Sequence, residues 1–308
     1  MKEINFPFLN FNRPKVKVGV DIGTSSVKAL ALSRQKTGGF QLDFFTVQAI
    51  GEERSKENIV EAIKRAAASS EAKIQGVTIA VSGQGVVVRQ VLFPKMSDAE
   101  LKSALQFEAE KHIPFNMNDV FIDAQVIDQN AEGNKMKVLI VASKKDLVDE
   151  YLGYINEAGL EAGAIDCDAI AVTNAFIFNN PGLGKDKTLA LLNIGASMTN
   201  VCILKNETLN FTRDIPVDVK SVDTLENQVR LSFDYYENQF GKGIDGIYVS
   251  GGGAKETALL QRFSQAFGFE VSAWDPVKNL SVSAKADTQA LKDVSGQLAV
   301  CVGLAIRR

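Results

Sequence analysis

The sequence predicts a duplicated α/β fold, with two similar lobes facing each other across a cleft. Three observations carry this. The β-branched, apolar stretch 18-VGVDIGTSSVKALAL-32 breaks at an aspartate and a glycine, passes small hydroxyl residues and resumes. The same order of residue types recurs in the second half as 189-LALLNIGASMTNVCIL-204. A third stretch, 246-GIYVSGGGAKETALLQRF-263, reads as strand, glycine turn and helix. Each repeat thus follows a βββαβ order, the pattern of layered α/β domains.

The elements follow in order. Residues 16–32 alternate and read as two strands joined by a tight turn, and 40–50 as a third strand. Residues 56–70 place Ile59, Ile63, Ala66 and Ala67 on one helical face. Strands follow at 74–83, ending in Ser82-Gly83, and at 86–93. Ser97 with Glu100 makes a capping box, so a helix starts near Asp98 and is ended by Pro114. Residues 119–127 and 137–143 read as strands around the turn Glu132-Gly133-Asn134. A helix over 145–158 is closed by Gly159. Residues 89–145 therefore form a helix-plus-strands unit inserted into the first lobe. The second lobe restarts at 188–211 with three strands, followed by a helix over about 219–239. The expected division is a tail at 1–15, a first lobe at 16–178 plus 296–308, and a reduced second lobe at 179–295.

Composition narrows the function. At 308 residues, with 45% apolar and 23% charged side chains, the chain can build two cores. A net charge of −3 gives no reason to expect nucleic acid as a partner. Cys167, Cys202 and Cys301 are an odd number with no CxxC pair, which reads as buried thiols in a reducing compartment. The single histidine, His112, leaves almost nothing for a Ser-His-Asp or multi-histidine metal mechanism. No stretch reaches the roughly 18 apolar residues of a membrane span, and the N-terminus lacks a leader pattern. A cytoplasmic protein is expected.

The candidate chemistry sits in the three turns. In Asp21–Lys28, Gly23 permits close backbone approach, Thr24 and Ser25 offer hydroxyls, and Lys28 offers a charge for a terminal phosphate. Asp21 suits an indirect magnesium ligand, because magnesium keeps most of its waters. A polar β-hairpin is the competing reading of the same residues. The second turn, with Asn193, Gly195, Ala196 and Ser197, repeats the first on the other lobe, so the two could clamp a phosphate chain. Gly251, Gly252 and Gly253 would let an adenosine lie flat on backbone.

Three glycine turns in this order resemble the actin, heat-shock-70 and sugar-kinase superfamily. The stretches 91-VLFPKMSDAELKSALQFEAEKHIPF-115, 119-DVFIDAQVI-127, 158–166, 231-LSFDYYENQF-240 and 302-VGLAIR-307 resemble the PilM family of type IV pilus assembly proteins, actin-like relatives of FtsA. The resemblance runs from about residue 16 to the end. It implies an actin-like fold of duplicated RNase H-like lobes with the inserted α+β unit and a shortened upper second lobe. It also implies a cleft for ATP and magnesium, and a groove for the cytoplasmic N-terminal peptide of a PilN-like inner-membrane protein. Carried over, that groove points to Leu101, Leu105, Ile113, Phe115, Val120 and Ile122, whose alternative role is core packing.

Two departures from the superfamily pattern bear on activity. The second turn begins with Asn193 instead of aspartate. A carboxylate beside a magnesium ion or attacking water is worth ~1–4 kcal/mol, and asparagine cannot serve as a base. Only 212-TRDIPVDVKSVD-223 fills a gap that is longer in relatives, which removes cover over an adenine. Asp168 is a weak catalytic candidate, or simply an acid in a helix's first turn. The tail INFPFLNFN alternates Ile4, Phe6 and Phe8 around Pro7, and its expected place is on its own domain. An alternative has it imitating the partner peptide on a neighbouring molecule. The expected function is a cytoplasmic scaffold recruited to the inner membrane by its partner, with ATP and magnesium structural or absent. The alternatives are a working actin-like ATPase and an FtsA-like filament former that self-associates.

Overall fold

The computed structural model describes residues 16–36, 38–74, 76–131, 133–217 and 221–307, so the expectations for the tail at 1–15 lie outside the described residues. β1 (Val16–Ile22), β2 (Ser26–Arg34) and β3 (Phe40–Ala49) form an antiparallel meander. After α1 (Lys56–Ala68), β4 (Gly76–Val81) returns parallel to β1. β5 (Val86–Pro94), α2 (Asp98–Ala109), β6 (Val120–Ala131) and β7 (Lys135–Lys144) build a separate three-stranded sheet of order β5-β7-β6 with its own helix. α3 (Lys145–Glu157) then leads into β8 (Glu161–Cys167), parallel to β4.

α4 (Asp168–Asn179) crosses to the second lobe. There, β9 (Thr188–Ile194), β10 (Thr199–Lys205) and β11 (Thr208–Ile215) repeat the meander. α5 (Val222–Phe240) precedes β12 (Gly246–Gly251), parallel to β9. α6 (Thr257–Phe267) precedes β13 (Val271–Ala273), parallel to β12. The chain then returns: β14 (Ser281–Val282) pairs with β3 on the edge of the first sheet. α7 (Thr288–Val294) follows, and α8 (Ala299–Ile306) packs on β1, β2 and β4.

The duplication is explicit in the strand order. Counted along the chain within each lobe and setting β14 aside, both sheets run third, second, first, fourth, fifth: β3-β2-β1-β4-β8 and β11-β10-β9-β12-β13. Parallel strands need a crossover, and here helices supply it, so helices cover the sheets and the inner strands read as continuous apolar runs. α1 and α3 bury one face of the first sheet with Ile59, Ile63, Val148 and Ile155. Leu225, Val229, Tyr236 and Phe263 of α5 and α6 bury the outer face of the second. Between the sheets lie α4 and α8, with Phe176, Trp274 and Leu304 in one shared core.

α2 departs from expectation at its end. Its start has the full capping box, with Ser97 Oγ accepting from the Glu100 amide and the Glu100 carboxylate accepting from the Ser97 amide. It stops at Ala109, however, well before Pro114. Proline disfavours helix only at the residue before it, and here the chain unwinds earlier through turns in which the amides of Lys111 and His112 bond to the carbonyls of Glu108 and Ala109. The Gly251 turn likewise passes through a short 3₁₀ segment before α6 starts at Thr257.

Candidate functional site

The ends of β1 and β9 meet over a cleft of about 250 Å³. It is lined by Asp21, Ser25, Lys28, Asn193, Gly195, Ala196, Gly251, Gly252 and Gly253, so most of the turn residues singled out in the sequence come together. Ser26 of the first turn joins them, as do Glu256 and Gln297, which no motif announces. Gly23, Thr24 and Ser197 sit in the same turns but do not line the cleft.

Both competing readings of the first turn hold in part. β1 and β2 pair in continuous register to Ile22 and Val27, so the turn is a β-hairpin. The Gly23 amide donates to the Ser26 carbonyl at 3.1 Å, and the Gly195 amide donates to the Met198 carbonyl at 2.9 Å. Those two amides close the turns instead of facing a ligand. At Gly251, φ is +83° and a Cβ would lie 2.3 Å from the Ile194 carbonyl oxygen, so only glycine lets β12 and β9 close the floor of the cleft.

The two lobes differ in charge at equivalent positions. In the first, Asp21 is paired across β1–β2 with Lys28, whose Nζ lies 3.0 Å from the carboxylate. Burial works to lower the Lys28 pKa, but the attraction and hydrogen bond of Asp21 outweigh it and leave the pKa raised, so the ammonium stays charged. In the second lobe the matching pair is Asn193 and Asn200, two neutral amides. Asn193 accepts from Ser250 Oγ at 3.2 Å. The cleft therefore offers one ammonium, serine hydroxyls, backbone polar groups and a single well-buried carboxylate, Asp21. That set fits an anionic phosphate chain, with Asp21 behind the water shell of a magnesium ion. Among the described residues no cluster of three or more His, Cys, Asp or Glu side chains could bind a metal directly.

Asp168 does not line this cleft. It opens α4 and lies in a neighbouring cavity of about 180 Å³ with Ser82, Gly83, Arg89, Asn200 and Asp214. The glycine turn of the second lobe carries no acid, yet β11 places Asp214 beside this cavity. Nothing local marks it, because only the β10–β11 register turns it toward Asn200. Both its oxygens are occupied: the Gly83 amide donates to one at 2.6 Å and the Asn200 amide donates to the other. Asp214 thus ties the lobes together. Burial first, and then the nearby charges of Asp21 and Asp214, push the Asp168 pKa well above the ordinary carboxylate range.

A third cavity, apolar and about 80 Å³, lies between the inserted unit and the first lobe. Phe121 of β6, Val141 and Ser143 of β7, Val148 and Leu152 of α3, and Ile165–Cys167 of β8 are among its walls. The six residues proposed from sequence for a peptide groove lie elsewhere. Leu101, Leu105 and Ile113 are buried in the inserted unit's own core, with Phe115 and Ile122 packed against it, and Val120 is buried as well. Alternation along β6 explains the shift: Val120 and Ile122 face inward, while the intervening Phe121, 41% exposed, faces the cavity.

Duplicated sheets of this order, with glycine turns at the facing strand ends, define the actin-like ATPase fold. The chain belongs to the type IV pilus assembly protein PilM family, whose model matches residues 19–217 and 220–308. It is similar in structure to a PilM–PilN type IV pilus biogenesis complex, with TM-score 0.83 and 20% identity over 95% of this chain and 98% of that one. More distant likenesses are the ethanolamine utilization protein EutJ of Carboxydothermus hydrogenoformans (TM-score 0.55, 12% identity, 96% and 91% covered) and the cytoplasmic domain of EpsL, an inner-membrane component of the Vibrio cholerae type II secretion system (TM-score 0.51, 12% identity, 92% and 98% covered). Among the described residues no helix is long and apolar enough to cross a membrane.

Proposed function

We propose that this protein is a cytoplasmic scaffold of type IV pilus assembly. It binds the N-terminal peptide of a PilN-like inner-membrane protein and is held at the membrane by that contact. The observation that carries this is the apolar cavity beside Phe121. It lies where two sheets end, β6 on one and β8 on the other, and among the described residues neither strand has an outer neighbour. Free strand edges supply backbone hydrogen bonds and the cavity supplies an apolar anchor point, which is how an extended peptide is captured. ATP with magnesium is a structural ligand of the Asp21–Lys28 cleft. The neutral Asn193, which cannot serve as a base, argues against turnover.

Calorimetric titration with a synthetic PilN-like N-terminal peptide tests this, beside titration with ATP and magnesium. Saturable peptide binding, weakened at least tenfold by Phe121→Ala and untouched by Lys28→Ala, is the expected result. No peptide binding, together with steady ATP turnover abolished by Lys28→Ala, would establish the ATPase reading instead. Asn193→Asp adds the missing carboxylate, so turnover appearing only in that variant identifies a silenced site.

A further inference from the structure

We infer that the groove between β6 and β8 is occupied in cis by the chain's own N-terminal segment, residues 1–14, which competes with the partner peptide. This rests on the groove being the peptide site proposed above. The chain enters β1 beside that groove. Lys17 Nζ donates to the Arg307 carbonyl, the Arg307 guanidinium lies 3.6 Å from the Asp166 carboxylate, and Asp166 lines the cavity. From Val16 back to Ile4 an extended chain reaches ~40 Å, ample to run along the edge of β6 or β8.

The composition of the segment matches the groove. Ile4, Phe6 and Phe8 alternate, so an extended backbone puts all three on one face toward the apolar wall of Val148, Leu152 and Ile165. Pro7 removes one donor and fixes an extended φ, which an added edge strand tolerates. Two buried side-chain oxygens at the groove also lack partners. Ser143 Oγ in its wall and Asp123 Oδ2, two residues along β6 from Phe121, are buried without a hydrogen-bond partner. An added strand brings backbone N–H groups to that edge. Tethering raises the local concentration of the segment to the order of 1 mM. A segment with an intrinsic Kd on the order of 0.1 mM would then leave the groove open about a tenth of the time and weaken partner binding about tenfold.

The test compares the full chain with a variant lacking residues 1–13, by titration with the PilN-like peptide and by hydrogen exchange at 120–124 and 163–167. Expected are about tenfold tighter peptide binding and faster exchange at both edges on truncation. A labelled synthetic peptide MKEINFPFLNFNRP should bind the truncated protein and be lost with Phe121→Ala. Unchanged peptide affinity and unchanged exchange would overturn the inference while leaving the scaffold reading standing. Binding of the segment peptide without any binding of the PilN-like peptide would sink the scaffold reading and the competition with it. Exchange protection that fades on dilution of the full chain would overturn the cis placement in favour of a neighbouring copy.

Discussion

Positions 21 and 28 carry an acid and a base, while their counterparts 193 and 200 carry two amides, and this asymmetry decides the chemistry of the cleft. The Asp21–Lys28 pair is largely buried, so removing one partner strands the other. Lys28→Met is expected to cost about 3 kcal/mol in urea unfolding, and adding Asp21→Asn should recover most of it. Asp166 titrates in an accessible range. Burial is the main cause of its pKa being raised to about 6, with Arg307 opposing the rise. The folded state then binds the proton more tightly than the unfolded chain. The stabilisation is complete below the unfolded value near 4 and is lost as pH climbs through about 6. Unfolding free energy should therefore fall between pH 4 and 7 in the native protein, and fall less in Asp166→Asn. Asp21 and Lys28 were legible because glycine turns leave a short-range mark. Asp214 and Gln297 were not, since only tertiary register brings each to its cavity.

Among elements, the local ones read well. The capping box that starts α2 depends on two residues three apart, and Ser97→Ala is expected to cost about 1 kcal/mol, measurable as a shift in the urea midpoint. The end of α2 read poorly, because Pro114 constrains only its predecessor and the packing of Ala109 and Ile113 sets where the helix stops. The proposed groove is hard to read from sequence for a related reason. Apolar residues on α2 and β6 look alike whether they face a core or a groove, and only the pleat of β6 separates Val120 from Phe121. The contact of α4 with α8 was invisible in sequence and is tight in space. A Cβ at Gly303 would lie 1.9 Å from the Ala171 carbonyl oxygen. Gly303→Ala should therefore destabilise by about 1–3 kcal/mol through forced separation of the helices, read as a lower Tm.

Across the whole molecule, one core joins the two sheets, and the protein's single tryptophan sits in it. Trp274 packs edge-on against Phe176 of α4, with ring centroids 5.2 Å apart. Phe176→Ala is expected to cost about 3–5 kcal/mol. Tryptophan fluorescence and far-UV circular dichroism should then shift together as one transition; separate midpoints would show that the lobes unfold independently. The duplication behind this arrangement was readable from the repeated turns. The sequence placed 296–308 with the first lobe, but the pairing of β14 with β3 was not readable, because β14 is a two-residue strand. The chain's return to the first sheet has a consequence for biosynthesis. β1 emerges from the ribosome early, but α8, whose Cys301 carbonyl would lie 2.3 Å from a Cβ at Gly19, emerges late. The first lobe must wait with an uncovered sheet face until α8 has been translated, so a nascent chain stalled in the second lobe exposes that face to chaperones and proteases.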